Sequence, residues 1–334
     1  MKRRCELIRM SRWAGVLIFF CCCGMSRHAR SDLNGNVEVG VDVENTNNTE
    51  VDVNAELKYK SKRSKGFRAI VEAKASAVER DFHLKDVVVD YRYSKKMHIS
   101  LGYSKKILGV EYENGKRKRI PIHRSLPYRK MESLGIVGRQ LNLRVDLELG
   151  KKRHRTDISA ALGGDNSRDY NLQLSLKKTR GNLGLGMWGL LERHRIDKGF
   201  IPVFSEVLAL WYESDSGRVL LETIHGVDAI RTEYQSHLGN DRTVHFVSPR
   251  LDLARFIALT KSTRIIPFVQ MGIIFDDLNK PDENSLLFTA GTRFQWHDLR
   301  IGFNVETVGV KDVTRENHRQ FKRKSVYGQV IYFF

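Results

Sequence analysis

From Gly35 onward, apolar and polar residues alternate with period two rather than with the 3.6-residue period of an amphipathic helix. Val37, Val39, Val41 and Val43 interleave with Glu38, Gly40, Asp42 and Glu44. Leu141, Leu143, Val145, Leu147 and Leu149 interleave with Asn142, Arg144, Asp146 and Glu148, and Tyr170, Leu172, Leu174 and Leu176 with Asn171, Gln173 and Ser175. Each run gives a strand one apolar and one polar face. About sixteen such runs, of roughly 9–13 residues each, can be marked. They are longer than ordinary globular strands and suit tilted strands crossing a hydrocarbon layer. The prediction is an all-β chain: a transmembrane antiparallel β-barrel of about 16 strands, with 14–18 compatible with the spacing. The alternation blurs between Phe200 and Phe256.

The connectors alternate as well. Short joins are expected at Ser94–Lys96, Thr179–Gly181 and Trp296–Asp298, and longer ones at Arg195–Pro202, Asp277–Asn284 and Lys311–Phe321. Short turns at one end and longer loops at the other are the outer-membrane barrel arrangement. The longest connector runs from Lys105 to about Ser133 and is, by count, the third external loop.

The two chain ends support the same reading. Residues 1–26 have the form of a secretory signal peptide: Lys2, Arg3, Arg4, Arg9 and Arg12, then an apolar run from Ala14 to Met25, too short to span a bilayer. Residues 27–334 would form the barrel. All four cysteines (Cys5, Cys21, Cys22 and Cys23) lie in that leader, so the expected mature chain has no disulfide and no cysteine metal site. A lipid-attachment role for the Cys triplet is disfavoured by the bulky Ile18, Phe19 and Phe20 before it. At the other end, Phe334, Tyr332, Val330, Gly328 and Val326 alternate to the last residue. A terminal aromatic with another two residues earlier resembles the C-terminal signal read by the barrel-assembly machinery, which assigns Tyr332 and Phe334 to assembly.

Composition narrows the partners. The 334 residues include 57 Lys+Arg and 39 Asp+Glu, a formal +18, and removing residues 1–26 leaves 52 basic and 38 acidic, or +14. At 41% hydrophobic the chain can bury a core, which excludes disorder. No repeated 20-residue apolar runs exist, which excludes a polytopic helical membrane protein. The positive excess favours anionic partners: small anions, and outer-membrane lipid with lipopolysaccharide-type phosphates. Basic clusters at Lys58–Lys65, Lys151–Arg155 and Lys322–Lys324 carry no nucleic-acid-binding motif.

The stretch from Leu84 to about Gly150 resembles the phosphate-selective porin O/P family. Leu84–Tyr93 is similar to a family strand that begins with an acidic residue and ends in Tyr. Ile99–Glu111 is similar to the strand running into a Gly, Lys and Glu segment, with Ile107-Leu108 where the family has Pro-Phe. Leu134-Gly-Ile-Val-Gly138 is similar to the re-entry strand. The resemblance implies a porin, with a homotrimer among its compatible assemblies.

The long connector carries the candidate chemistry: Lys105, Lys106, Lys116, Arg117, Lys118, Arg119, His123, Arg124, Arg129 and Lys130 against Glu111, Glu113 and Glu132. Folded into the lumen, these cations would narrow it and favour anions; left outside, they would form a solvated basic surface. Lumen-facing strand charges of mixed sign, among them Lys58, Arg68, Glu72, Asp90, Arg144, Asp146, Lys177 and Glu306, are expected to pair across strands. Trp188, Trp211, Trp296, Tyr212, Tyr327 and Tyr332 are expected as an interfacial girdle. Gly184-Leu-Gly-Met-Trp-Gly189 fits a dinucleotide pattern only formally, since no helix pattern follows it, and reads as small strand residues facing a crowded lumen. No metal spacing appears and no cofactor is implied. The expectation is a non-enzymatic anion-preferring porin. The alternatives are a non-conducting barrel acting as adhesin or structural protein, and a barrel lipid hydrolase, for which His98 and Ser100 share a face.

Overall fold

The computed structural model describes residues 33–44, 48–78, 81–113, 120–122, 124–151, 154–165, 168–196, 199–240, 242–280, 284–311 and 319–334. The expected leader and its cysteines lie outside these residues. The alternating runs become one antiparallel sheet. Its strands are β1 (Leu33–Glu44), β2 (Asn48–Lys60), β3 (Phe67–Ser76), β4 (Asp81–Arg92), β5 (Met97–Lys105) and β6 (Arg139–Lys151). There follow β7 (His154–Asp165), β8 (Arg168–Arg180), β9 (Leu183–Ile196), β10 (Gly199–Ser214) and β11 (Gly217–Val227). β12 (His245–Arg255) is continued past Phe256 by Ile257–Ala258, which pair with the same neighbour. β13 (Thr263–Phe275), β14 (Asn284–Trp296), β15 (Leu299–Lys311) and β16 (Arg319–Phe333) complete sixteen staves.

The sheet closes on itself. β16 pairs with β1 from Asn36↔Phe333 to Glu44↔Ser325. Gly35 and Phe334 exchange backbone hydrogen bonds of 3.0 and 3.1 Å at the seam. Closure leaves no strand edge in lipid, where unpaired N–H and C=O groups would each cost several kcal/mol. The alternation sorts side chains as expected: Leu172, Leu174 and Leu176 point outward and are accessible, while Asn171, Gln173 and Ser175 point inward and are buried.

The connectors at the chain-terminal end are short, at 93–96, 181–182, 215–216 and 297–298. Those at the opposite end include 106–138, 228–244, 276–283 and 312–318. Two expectations need correction here. The segment Arg195–Pro202 is not a long loop: β9 and β10 run through it, leaving only 197 and 198 between them. The blurred stretch contains, besides strands, a helix, α3 (Ala229–His237), capped by the Asp228 side chain accepting from the Arg231 N–H at 3.0 Å. Its numbering follows two helices in the longest connector, α1 (Val110–Glu113) and α2 (Leu126–Ser133).

The blur itself has a physical cause. On β9–β11 the inward positions are also apolar: Leu190, Ile201, Val203, Val207, Leu220 and Ile224 are buried. A strand covered by lipid outside and by protein inside loses its polar face, as strands buried on both sides do.

Candidate pore and its inserted loop

What covers those inner apolar faces is the connector from 106 to 138. Leu108, Val110, Tyr112, Tyr128, Met131, Ile136 and Val137 pack against Trp188, Leu190, Ile201, Val203, Val207, Leu220 and Ile224 in one buried cluster. The loop therefore folds into the barrel and seats on one wall. Leu134–Gly138 is a turn within this packing, not a re-entry strand; β6 starts at Arg139.

Polar contacts bolt the loop at both ends. Near its start, the Lys106 ammonium lies 2.6 Å from Glu192 on β9, with both side chains buried. The Ile107 N–H donates to Gln173 Oε1 at 3.1 Å, and Gln173 belongs to a set of interlocked amides with Gln140, Asn142 and Asn171 on β6 and β8. Deeper in, Tyr128 Oη donates to Glu222 Oε1 at 2.8 Å, and the Val110 N–H donates to the same oxygen at 3.0 Å. Burial, then the Glu222 charge, pushes the Tyr128 hydroxyl well above its ordinary range, so it remains a donor. Arg250 on β12 lies 2.7 Å from Glu222 and also pairs with Glu111 of α1. Ser125, at the start of α2, donates its Oγ–H to Glu111 Oε2 at 2.8 Å instead of capping the helix. Toward the far wall, Arg129 pairs with Glu306 at 2.6 Å, and Lys130 pairs with Asp276 and lies 3.6 Å from Asp228.

The formal G-x-G-x-x-G segment belongs to this seat. A side chain at Gly184 would strike the Trp211 indole, and one at Gly186 the Trp188 indole. The glycines make room for two large rings inside the wall. Trp188 Nε1 donates to Glu113 of the loop at 3.0 Å. Trp188, Trp211 and Tyr327 thus face inward, correcting their assignment to the girdle; Trp296, Tyr212 and Tyr332 do face outward. The parity of their strands, not residue type, decides which side an aromatic takes.

With the loop against β8–β12, open space remains beside β1–β8. It forms a cavity of about 1020 Å³, reaching from Asn34 and Phe334 at the terminal end to Arg124 and Glu132 of the loop. A bulge widens its charge supply: Glu72 pairs with Asp86 and Ala73 with Leu84, so Lys85 is the extra residue, and both Lys85 and Asp86 line the cavity. Of the charges expected to pair across strands, Lys58–Glu72 at 2.7 Å and Arg68–Asp90 at 2.8 Å do so, and Arg139–Asp86 at 2.9 Å adds another such pair. Arg144 pairs with Asp146 along β6 at 2.6 Å, while Lys177 and Glu306 pair with Glu113 and Arg129 of the loop.

An apolar belt outside and a polar lumen inside place this barrel in an outer membrane. Comparison with solved structures finds the same architecture. A loop-deletion form of the outer-membrane protein OmpT of Vibrio cholerae aligns with a TM-score of 0.62 at 9% identity, over 91% of this chain and 98% of that one. The outer-membrane channel DcaP of Acinetobacter baumannii aligns at 0.61 and 8% identity, over 91% and 96%. An anion-selective porin from Comamonas acidovorans aligns at 0.59 and 10% identity, over 90% and 98%. The likeness is one of fold: a closed antiparallel barrel of sixteen strands, as in these outer-membrane proteins. No protein-family model matches the chain, and no curated protein matches it in sequence.

The expected selectivity residues divide sharply. Lys116, Arg117, Lys118, Arg119 and His123 lie outside the described residues. Lys106, Arg129 and Lys130 are paired anchors on the wall, and Arg124 is held by Glu132 through two 2.9 Å hydrogen bonds. Lys105 ends β5 rather than belonging to the loop, and it lines the cavity. His98 also lines it, 3.6 Å from Asp90; among the described residues no hydrogen bond joins it to Ser100.

Proposed function

We propose that this chain is a porin through which small hydrophilic solutes diffuse passively, without catalysis, and that the pore prefers anions. One observation carries the preference. Among the described residues nine Asp and Glu side chains line the cavity, and each has a basic partner: Glu56, Glu72, Asp86, Asp90, Glu113, Glu132, Asp146, Glu148 and Asp157. Of the lining Lys and Arg, Lys74, Lys96 and Lys105 have no carboxylate within ion-pair distance among the described residues. Among the described residues eleven lining Lys and Arg face nine lining Asp and Glu, Arg155 serving both Glu148 and Asp157, so the net excess is two positive charges. Lys74, Lys96 and Lys105 are the ammonium groups placed to attract an anion and replace part of its hydration shell.

Lys105 is the principal candidate. It stands where the loop narrows the lumen, 5.9 Å from the centre of the Tyr112 ring. Phosphate is the anion favoured by the resemblance of Leu84–Gly150, and compact oxyanions suit a lysine point charge. The Comamonas barrel of the same fold is anion-selective, which supports the reading. The Vibrio barrel occurs in a trimer form, and a homotrimer is the assembly proposed here.

A planar-bilayer recording in a salt gradient tests the proposal. The expected result is a zero-current potential of the sign that anion permeation gives, moved toward the cationic sign by Lys105→Glu and further by Lys74→Glu with Lys96→Glu. A channel whose potential ignores all three changes has no such preference, and a folded barrel with no conductance is not a porin.

A further inference from the structure

The outer wall has a groove that the porin reading does not use. It lies near the loop end of β7–β10, has a volume of about 500 Å³, and is lined by Leu162, Tyr170, Leu172, Leu191, Arg193 and Phe200 with their strand neighbours. Two ladder irregularities create it. The β7–β8 register shifts between Gly163 and Asp165, and the β8–β9 register shifts between Arg168 and Asn171. Tyr170 falls in both gaps and projects at 80% exposure. Below it, Leu162, Leu172 and Leu191 sit side by side across three strands and face outward.

Arg193 stands at the upper edge of this apolar floor. Its neighbour Glu192 points inward to Lys106, so Arg193 points outward, opposite Pro202 on β10. Its guanidinium lies over the Phe200 ring, 4.2 Å from the ring centre. Among the described residues it has no carboxylate partner. An unpaired cation on a lipid-facing wall is costly unless lipid headgroups satisfy it. It lies three residues before the end of β9, about 10 Å of strand, which is headgroup depth rather than mid-bilayer.

We propose that this groove holds one acyl chain of a phosphorylated outer-leaflet glycolipid, with Arg193 forked onto its phosphate. The proposal rests on the outer-membrane placement above. The groove opens on the hydrocarbon layer, so an apolar chain must fill it. Arg193 then selects a headgroup, because a guanidinium presents paired donors to phosphate oxygens and Phe200 holds its plane. A second outward hollow, of about 540 Å³ among Leu185, Leu208, Leu210, Leu221 and Met271, shows the contrast. The Glu222 and Arg250 that border it are turned to the lumen, so it offers acyl chains space and no charge.

The test is native mass spectrometry of the folded full barrel in mild detergent, titrated with bis-phosphorylated lipid A, dephosphorylated lipid A and inorganic phosphate. One lipid A adduct is expected at concentrations where the dephosphorylated lipid gives none. Arg193→Glu should weaken it roughly fivefold or more, the change one cation supplies at an anionic lipid surface. Leu191→Trp, which fills the floor and leaves the charge, should weaken it as well; if that variant fails to fold, Arg193→Glu at the exposed rim still decides. Equal binding by Arg193→Glu and the parent, or by the two lipids, overturns the proposal. Displacement of lipid A by inorganic phosphate alone would make the site a free-anion site and also overturn it. Single-channel conductance of the same samples separates the two readings: Arg193→Glu should conduct as the parent does, and a silent parent that still binds lipid A sinks the porin reading alone.

Discussion

Lys106 Nζ lies 2.6 Å from Glu192 Oε2, across 86 residues of sequence, with both side chains almost wholly buried. The pair fixes the start of the inserted loop to the inner face of β9. A lysine that composition places among the selectivity charges is thus an anchor. Lys106→Met takes the buried ammonium away from the Glu192 carboxylate, and breaking a buried pair of this kind costs about 3–5 kcal/mol. The expected outcome is a loop that leaves its wall: greater protease sensitivity at 106–138 and noisier single-channel current. Pairing it with Glu192→Met should restore both. A quiet, protease-resistant Lys106→Met channel would show that the pair does not hold the loop.

Size as well as charge governs the seat at β9. Gly186→Leu places a side chain where the Trp188 indole lies, and Gly184→Leu does the same to Trp211. Overpacking of this kind typically costs about 1–3 kcal/mol. Each variant should lower the temperature of heat-modifiable unfolding, and Gly186→Leu with Trp188→Ala should recover part of the loss. Gly189, whose added Cβ meets no atom within 4 Å, is the control and should tolerate Ala.

The seam sets a test of assembly. Phe334 exchanges two backbone hydrogen bonds with Gly35, and its ring lies against that glycine. Tyr332 faces outward and pairs with Val37. Deleting Phe334, or replacing it and Tyr332 with polar residues, should reduce the heat-modifiable barrel recovered from outer membranes. Unchanged recovery would remove the terminal aromatics from the assembly step.

Selectivity should depend on salt in a way that separates free from paired lysines. The Debye length is about 10 Å at 0.1 M salt and about 3 Å at 1 M. The shift caused by Lys105→Glu should therefore be larger in dilute gradients than in molar ones. Lys130→Glu should instead act through the loop, by placing a third acid beside Asp276 and Asp228, and its effect should appear as altered conductance at every salt concentration. Equal shifts from the two variants would mean that net lumen charge, not position, sets the preference.

The strands, their number and the seam were legible because alternation is a local property. A strand half in lipid and half in water writes its two environments into adjacent residues, as Val37 to Glu44 and Leu141 to Leu149 do. The outward Tyr332 was legible for the same reason, whereas Phe334, one residue past β16, lines the lumen cavity instead of continuing the outward face. The position of the long connector was also clear, and the blurred strands around Ile201, Val207 and Leu220 carried the mark of what covers them, since their inner faces are apolar. That mark says an inner face is dry, but not which segment dries it.

The tertiary structure alone decided which charges are free. Lys105 and Lys106 are adjacent and chemically identical, yet Lys106 meets Glu192 on β9 while Lys105 has no carboxylate partner among the described residues and lines the open cavity. Likewise Arg250 finds Glu111 from 139 residues away, and Trp188 fills the space left by Gly186. Period two determines which face of the sheet a side chain takes. Whether a lumen charge is neutralised depends on contacts between chain segments brought together only when the sheet closes and the loop folds inside it, and such contacts leave no periodic trace in either segment.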